Sequence, residues 1–328
     1  MNSMREISYL QALREGLREE FRRDPRVFML GEDLTGGYGD GDFGVTRGMI
    51  EEFGSERIRD TPISEGMIVG AAVGAALGGT KPIAEIMYMD FMTYTVENIC
   101  NVAAKINFLH PGIKCPVVIR SAVGAGIRSG PNHSQSLHSW FAHVPGLKVI
   151  MPAEPADAKG LIKSAIRDDS PVLFLEHKLL YGRKGPVPEE EFTTPIGKAN
   201  VTHAGADVTV VAASLMARRA LEAAKQLEAE GVSAEVVDLR TVKPLDREAI
   251  ASSVKKTGKV VVVDEGYRTC GFAAEVVATI VEDAFEQLET PVVRLTNPDS
   301  SIPCSPSLED SVIPSVNDIK LALQRLAS

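Results

Sequence analysis

Cysteine is sparse in this chain. Its four residues in 328, Cys100, Cys115, Cys270 and Cys304, are widely spaced and include no Cys-x-x-Cys pair. That spacing implies no disulfide framework and offers no zinc or dithiol redox motif. Positive charge is also short: 35 Lys and Arg against 44 Asp and Glu leave a formal charge of -9. A general nucleic-acid binder needs a basic face for phosphates, so that class is excluded. No apolar run reaches membrane-spanning length, and residues 1–5 hold no apolar signal core. The expectation is a reduced, soluble, cytoplasmic protein that contacts neither membrane nor nucleic acid. There is no G-x-S-x-G elbow, no P-loop, no H-E-x-x-H, no Asn-Asn pair and no internal repeat. Hydrolase and kinase readings therefore have no anchor.

What is present is an ordinary globular composition, 44% apolar and 24% charged, over a length that suits two domains. Apolar Leu10, Leu13, Leu17 and Phe21 recur at helical spacing and predict a helix over 8–23, stopped by Asp24-Pro25. A short strand follows at 27–30, then a glycine-rich loop at 36–44. From there strands at 82–87, 116–120, 147–151 and 171–176 alternate with helices at 90–108, 134–143 and 157–167. The stretch 182–194, rich in Gly, Pro and Glu, is aperiodic and reads as the domain connection. A second alternating unit holds strands at 208–213, 234–239, 259–264 and 292–295, with helices at 217–230 and 272–288. Alternation of this kind implies α/β domains built on mainly parallel sheets covered on both faces.

Three stretches can carry chemistry. Asp60-Thr61-Pro62-Ile63-Ser64-Glu65 leads into the small-residue run 66–79. A carboxylate there sits at the positive end of a helix dipole, either as a cap or as a functional acid. The Gly/Ala face behind it suits close packing against another helix, across a subunit interface. His133 lies where the 121–130 Gly/Ser loop meets a helix start, in Pro131-Asn132-His133-Ser134-Gln135-Ser136. It is a general acid–base candidate or a capping histidine. His138 and His143 follow at five-residue spacing, which spreads three rings around a helix and disfavours a metal site. These two read as packing beside Trp140 and Phe141. Met87 and Phe91, in Glu85-Ile86-Met87-Tyr88-Met89-Asp90-Phe91, offer an apolar, polarisable patch that suits an aromatic heterocycle or plain core. The Gly39-Asp40-Gly41-Asp42-Phe43-Gly44 match to G-x-G-x-x-G reads as a surface loop, because its glycines do not form the tight turn into a helix.

In combination the residues resemble a known family. The matching segments are 60–65, 85–91, 98–105, His133-Ser134-Gln135-Ser136, 145–149, 157–162, Asp238-Leu239-Arg240-Thr241-Val242-Lys243-Pro244-Leu245-Asp246 and Asp264-Glu265-Gly266. The chain is similar, nearly end to end, to the beta subunit of the decarboxylating component of 2-oxo acid dehydrogenase complexes, the pyruvate, acetoin and branched-chain group. The resemblance implies a pyrimidine-binding thiamine-fold domain over 1–185, a linker over 186–205 and a transketolase C-terminal-like domain over 206–328. It implies thiamine diphosphate as cofactor and an alpha subunit as partner in an α2β2 heterotetramer. The alpha subunit of that family carries the Gly-Asp-Gly…Asn-Asn site for diphosphate and magnesium. Gly39-Asp40-Gly41 matches only its first half and reads as coincidence, since magnesium needs several oxygen ligands.

By resemblance Glu65 is the carboxylate that hydrogen-bonds the pyrimidine nitrogen N1′, Phe91 stacks on that ring and Met87 is its neighbour. Burial against an apolar wall raises a carboxyl pKa toward neutrality, which suits such proton exchange. His133 matches a family histidine that assists acyl transfer to the lipoyl group of the acyltransferase component. Some members hold potassium through beta-subunit carbonyls. The matching positions are Val117, Ala165, Asp168 and Ser170, with Ser170 departing from the expected Asn. Residues 36–42 are more acidic than the family's loop, and 175–182 with 184–188 look more like the pyruvate and acetoin members. Pyruvate is the expected substrate, acetoin or a branched 2-oxo acid the alternatives. A non-catalytic binding module and a single-chain transketolase-like synthase are the competing functions.

Overall fold

The computed structural model describes residues 4–35 and 43–327, so most of the 36–44 loop, with residues 39–42 of the G-x-G-x-x-G match, lies outside the described residues. The chain folds as two units, Met1–Val123 with Trp140–Ile196, and Gly124–Ser139 with Gly197–Ser328.

In the first unit, strands run in the order Lys148–Ile150, Val172–His177, Val118–Val123, Lys81–Tyr88, Val27–Gly31, Ile58–Asp60, every neighbouring pair parallel. Val118–Val123 and Val172–His177 are buried at every position, as central strands covered on both faces must be. The first helix, Tyr9–Arg23, begins at a capping box: Ser8 Oγ accepts the Gln11 N–H, and the Gln11 side chain accepts the Ser8 N–H. It packs against the helix Pro155–Arg167.

That helix pair is joined by a ladder of charges. Lys159 Nζ lies 2.6 Å from Glu19, Lys163 Nζ 2.5 Å from the other oxygen of Glu19, and Arg167 binds Glu20 and Glu191. Both lysines are buried, and both lie over the Phe192 ring. Burial is the largest influence on Glu19 and pushes its pKa up, but Lys159 and Lys163 together outweigh it and hold the group low. Glu191 behaves alike through Lys163 and Arg167, again against burial. A carboxylate with a depressed folded pKa stabilises the fold above its unfolded value near 4.5, and that stabilisation is lost as pH falls through the lower folded value. The expected result is that Glu19→Gln lowers the unfolding midpoint at pH 7 and that the gap from the parent chain closes in an acid titration below about pH 4. A gap that stays constant from pH 7 to pH 3 would remove the ladder from the account.

The expected 90–108 helix is broken into a tight 3-10 stretch Met89–Thr95, a wide π stretch Glu97–Ala103 and a short α turn Ile106–Leu109. Thr93 and Thr95 hydroxyls donate to the carbonyls of Asp90 and Met92, three residues back, which tightens the first part. The 182–194 connection contains a strand, Lys184–Pro188, paired antiparallel with Met4–Ser8. Its two prolines hide it in the sequence and suit a two-stranded ribbon that has no inner strand.

The second unit holds a sheet ordered Val293–Asn297, Val260–Tyr267, Val208–Ala212, Ala234–Asp238, Asn200–His203, parallel except for the last strand. Helices Ser214–Glu228 and Val316–Ala327 pack together, as do Arg247–Thr257 and Phe272–Ala284. The described segment that carries His133 belongs to this unit. It is helical only over His138–Ala142, not over the expected 134–143.

Candidate active site

In the first unit the chain leaves strand Val27–Gly31 to form Ile58–Asp60 on one side, then returns to form Lys81–Tyr88 on the other. The carboxyl ends of strands at such a reversal are where open α/β sheets bind ligands. Register aligns Gly31 with Asp60 and with Glu85, so all three strands end on one edge. Gly31 is required there by close approach: a Cβ would lie 2.8 Å from the Glu85 carbonyl oxygen.

Glu65 follows the Asp60 end by five residues and opens the helix Glu65–Leu77. Ser64 makes no capping hydrogen bond, and the half-exposed Glu65 carboxylate has no hydrogen-bond or ionic partner among the described residues. A capping glutamate would be spent on backbone N–H groups; this one is not. The Asn98 side chain donates to the Gly66 carbonyl at 2.8 Å, and a Cβ on Gly66 would lie 3.2 Å from the Tyr94 carbonyl oxygen. The first turn of the Glu65 helix is thereby seated on the 89–103 segment that also carries Phe91. Gly66 and Gly70 face this segment of their own chain, whereas Gly74 faces open space.

Met87 is the extra residue of a bulge: Ile86 pairs with Ser121 and Tyr88 with Ala122, so one partner step spans two residues. Bulges re-aim side chains near sites, and Met87 is left half-exposed at the strand's end. Phe91, also half-exposed, meets Tyr88 edge-on at 6.3 Å, and Tyr88 continues through Phe43 to Tyr181. The helix that Glu65 opens packs on the strand that carries Met87 and on the segment that carries Phe91, and an acceptor carboxylate with two apolar faces on adjoining elements fits a flat nitrogen heterocycle.

Beneath this wall lies a network that strand patterning alone did not reveal. Fully buried Arg120 donates to both oxygens of buried Glu176, at 2.7 and 2.8 Å, and to Glu85, its cross-strand partner. The Tyr181 hydroxyl donates to Glu176 at 2.9 Å. Burial pushes Glu176 up despite the guanidinium, and pushes Tyr181 well above the usual phenol range. The available signal was the charged residues Glu85, Arg120 and Glu176 in three mainly apolar strands.

His133 is half-buried in the second unit, its Nδ1 3.1 Å from Asn132 Oδ1. His138 is buried, its Nε2 3.0 Å from Asp264 and its ring edge-on to Phe272. Two of the four carbonyl positions are hydrogen-bonded within the first unit: Val117 accepts the Val172 N–H at 2.9 Å, and Ala165, in the last turn of helix Pro155–Arg167, accepts the Asp168 N–H at 3.3 Å. The Asp168 carboxylate accepts the Ser170 N–H and pairs with Lys148. A helix C-terminus with carbonyl and carboxylate oxygens is a donor set suited to a hard cation. Among the described residues no group of three or more His, Cys, Asp or Glu could hold a metal ion.

The transketolase pyrimidine-binding domain model matches residues 5–184, and the transketolase C-terminal domain model matches 197–319. The beta subunit of acetoin:2,6-dichlorophenolindophenol oxidoreductase from Cupriavidus necator is 46% identical over 98% of this chain and 97% of its own. The chain belongs to the family of 2-oxo acid dehydrogenase beta subunits. The 2-oxoisovalerate dehydrogenase beta subunit of Bacillus subtilis is 44% identical, over 98% of each chain. The mitochondrial pyruvate dehydrogenase E1 beta-1 subunit of Arabidopsis thaliana is 43% identical over 98% of this chain and 89% of its own. Among solved structures, a split-gene transketolase described as an inactive beta4 tetramer aligns over 98% of both chains, with a TM-score of 0.79 and 27% identity. The beta-subunit fold of two transketolase-like α/β domains is therefore the one this chain adopts, and the family is one of thiamine diphosphate enzymes. Among the described residues no helix is long and apolar enough to cross a membrane.

Proposed function

We propose that this beta subunit is catalytic, that it decarboxylates pyruvate, and that it does so only with an alpha subunit in an α2β2 heterotetramer. The observation that carries the reading is the uncommitted Glu65 carboxylate, on a helix start seated on the segment that also carries Phe91, at the reversal edge of the sheet. When bound, thiamine diphosphate supplies the carbon nucleophile that adds to the 2-oxo group and holds the electron pair left by carbon dioxide. In this reading Glu65 holds a proton on the pyrimidine nitrogen N1′, Phe91 and Met87 clasp the ring, and the diphosphate with its magnesium belongs to the alpha subunit. Glu65 is half-exposed in this chain, so the dry setting that proton exchange needs is supplied by that partner. His133 assists passage of the acyl unit to a lipoyl group on the acyltransferase component. Val117, Ala165, Asp168 and Ser170 would hold a potassium ion. The four cysteines are free thiols, which suits a reducing compartment such as the cytoplasm.

Acetoin is the second substrate reading, favoured by the 46% identity to an acetoin-oxidising subunit. The test is reconstitution. The chain alone should release no carbon dioxide from pyruvate, and mixing it with its alpha subunit, magnesium and thiamine diphosphate should give turnover. Running pyruvate, acetoin and branched 2-oxo acids side by side ranks the substrates. Tight one-to-one cofactor binding and turnover by the lone chain would overturn the two-subunit reading. No turnover of any of these substrates by the mixture would favour a non-catalytic module.

A further inference from the structure

The second unit's sheet also reverses. The chain leaves Val208–Ala212 to build Ala234–Asp238 on one side and returns to build Val260–Tyr267 on the other. The crevice at such strand ends ordinarily takes a ligand. Here the chain's own 124–139 segment binds to that edge. Glu265, near the end of Val260–Tyr267, accepts the Ala125 N–H at 2.7 Å. Its neighbour Asp264 pairs with His138, whose ring rests on Phe272, the first residue of the next helix. Glu309, from the helix Pro306–Val312, accepts the Gly126 N–H at 2.9 Å and binds Arg128. Arg128 also forks onto Asp310 at 2.7 and 3.1 Å and donates to the Pro306 carbonyl. Glu265, Glu309, Asp264 and His138 are all buried.

The backbone of this segment needs such holding. Gly124, Gly126, Arg128 and Gly130 have φ of 90, 107, 64 and 75°, so alternate residues sit in the left-handed region, one of them bearing a Cβ. His133 lies between the two tied portions, 125–128 on one side and 138 on the other.

We propose that the carboxyl edge of the second unit's sheet, together with Glu309, is a clamp that positions His133 for acyl transfer. Asp264, Glu265, Glu309, Arg128 and His138 are then positioning residues of the reaction, and the second unit serves catalysis by ordering this loop. The proposal rests on the acyl-transfer reading of His133.

The experiment uses the reconstituted alpha–beta assembly and separates two half-reactions. One is decarboxylation of the 2-oxo acid coupled to 2,6-dichlorophenolindophenol, which bypasses the lipoyl step. The other is reductive acylation of free lipoamide. Glu309→Gln and Arg128→Ala are expected to slow acylation about 10–100-fold, the scale of a misplaced catalytic group. Dye-coupled decarboxylation should change less than about threefold, while amides 124–137 exchange faster with solvent. His133→Ala, as reference, should slow acylation at least as much. Equal losses in both half-reactions would mean the clamp is merely structural and would overturn the proposal. Unchanged acylation in the clamp variants, with a loss in His133→Ala, would overturn the clamp alone. Unchanged acylation in His133→Ala would overturn the His133 reading and the proposal with it.

Discussion

Replacing Glu65 by glutamine in the reconstituted alpha–beta assembly should lower turnover by about 10²–10⁴-fold, the range a positioned proton-transferring group contributes. The same change should leave the fold nearly untouched. Glu65 opens the helix Glu65–Leu77, but its carboxylate is bound to none of the described residues. All that glutamine removes from the chain alone is one negative charge at the positive end of a helix, worth about 0.3–1 kcal/mol. The two readings of this residue thus differ in kind: a cap loses a little stability and no rate, a cofactor-activating acid loses rate and little stability. Measuring kcat and the urea midpoint on one preparation separates them. An assembly that keeps full activity with Glu65→Gln would end the assignment.

The largest expected loss of stability comes from Arg120→Met. Arg120 is the cation that joins the carboxylates of Glu85 and Glu176, and the Tyr181 hydroxyl donates to Glu176. Removing it strands a fully buried carboxylate beside a nearly buried one, at a cost of about 3–5 kcal/mol. Protonating the stranded groups relieves that cost, so the deficit should shrink toward acid pH. Burial already pushes Glu176 above the usual carboxylate range, so this relief begins at a higher pH than for a surface acid. Adding Glu176→Gln to Arg120→Met should recover part of the loss at neutral pH. Urea unfolding, with hydrogen exchange of strands Val118–Val123 and Val172–His177 as the local readout, checks both results. A loss below about 1 kcal/mol for Arg120→Met would show that the network is replaceable packing.

Much of the secondary structure was legible in the chain. The helix Tyr9–Arg23 follows from Leu10, Leu13, Leu17 and Phe21 and from the stop at Asp24-Pro25. The strands Val208–Ala212, Ala234–Asp238 and Val260–Tyr267 follow from continuous apolar runs that only a doubly covered sheet accommodates. The 90–108 stretch was misread because helical periodicity does not register two threonine hydroxyls bonding back three residues. Lys184–Pro188 was misread because Gly and Pro there mark a ribbon edge as readily as a linker.

Of the site, residue types and order in the chain were visible, and contacts were not. Periodicity and motif are local properties of the chain, and they were enough for two α/β units, the family and the candidates Glu65, Met87, Phe91 and His133. The folded chain was needed to show that the Glu65 carboxylate is uncommitted among the described residues, that a bulge re-aims Met87, and that Arg120 joins Glu85 and Glu176. It alone put the His133 segment in the second unit, tied to Asp264, Glu265 and Glu309 more than a hundred residues away. The reason is physical: hydrogen bonds and ion pairs between strands depend on register and burial, which are set by the sheet as a whole and by no single stretch of chain.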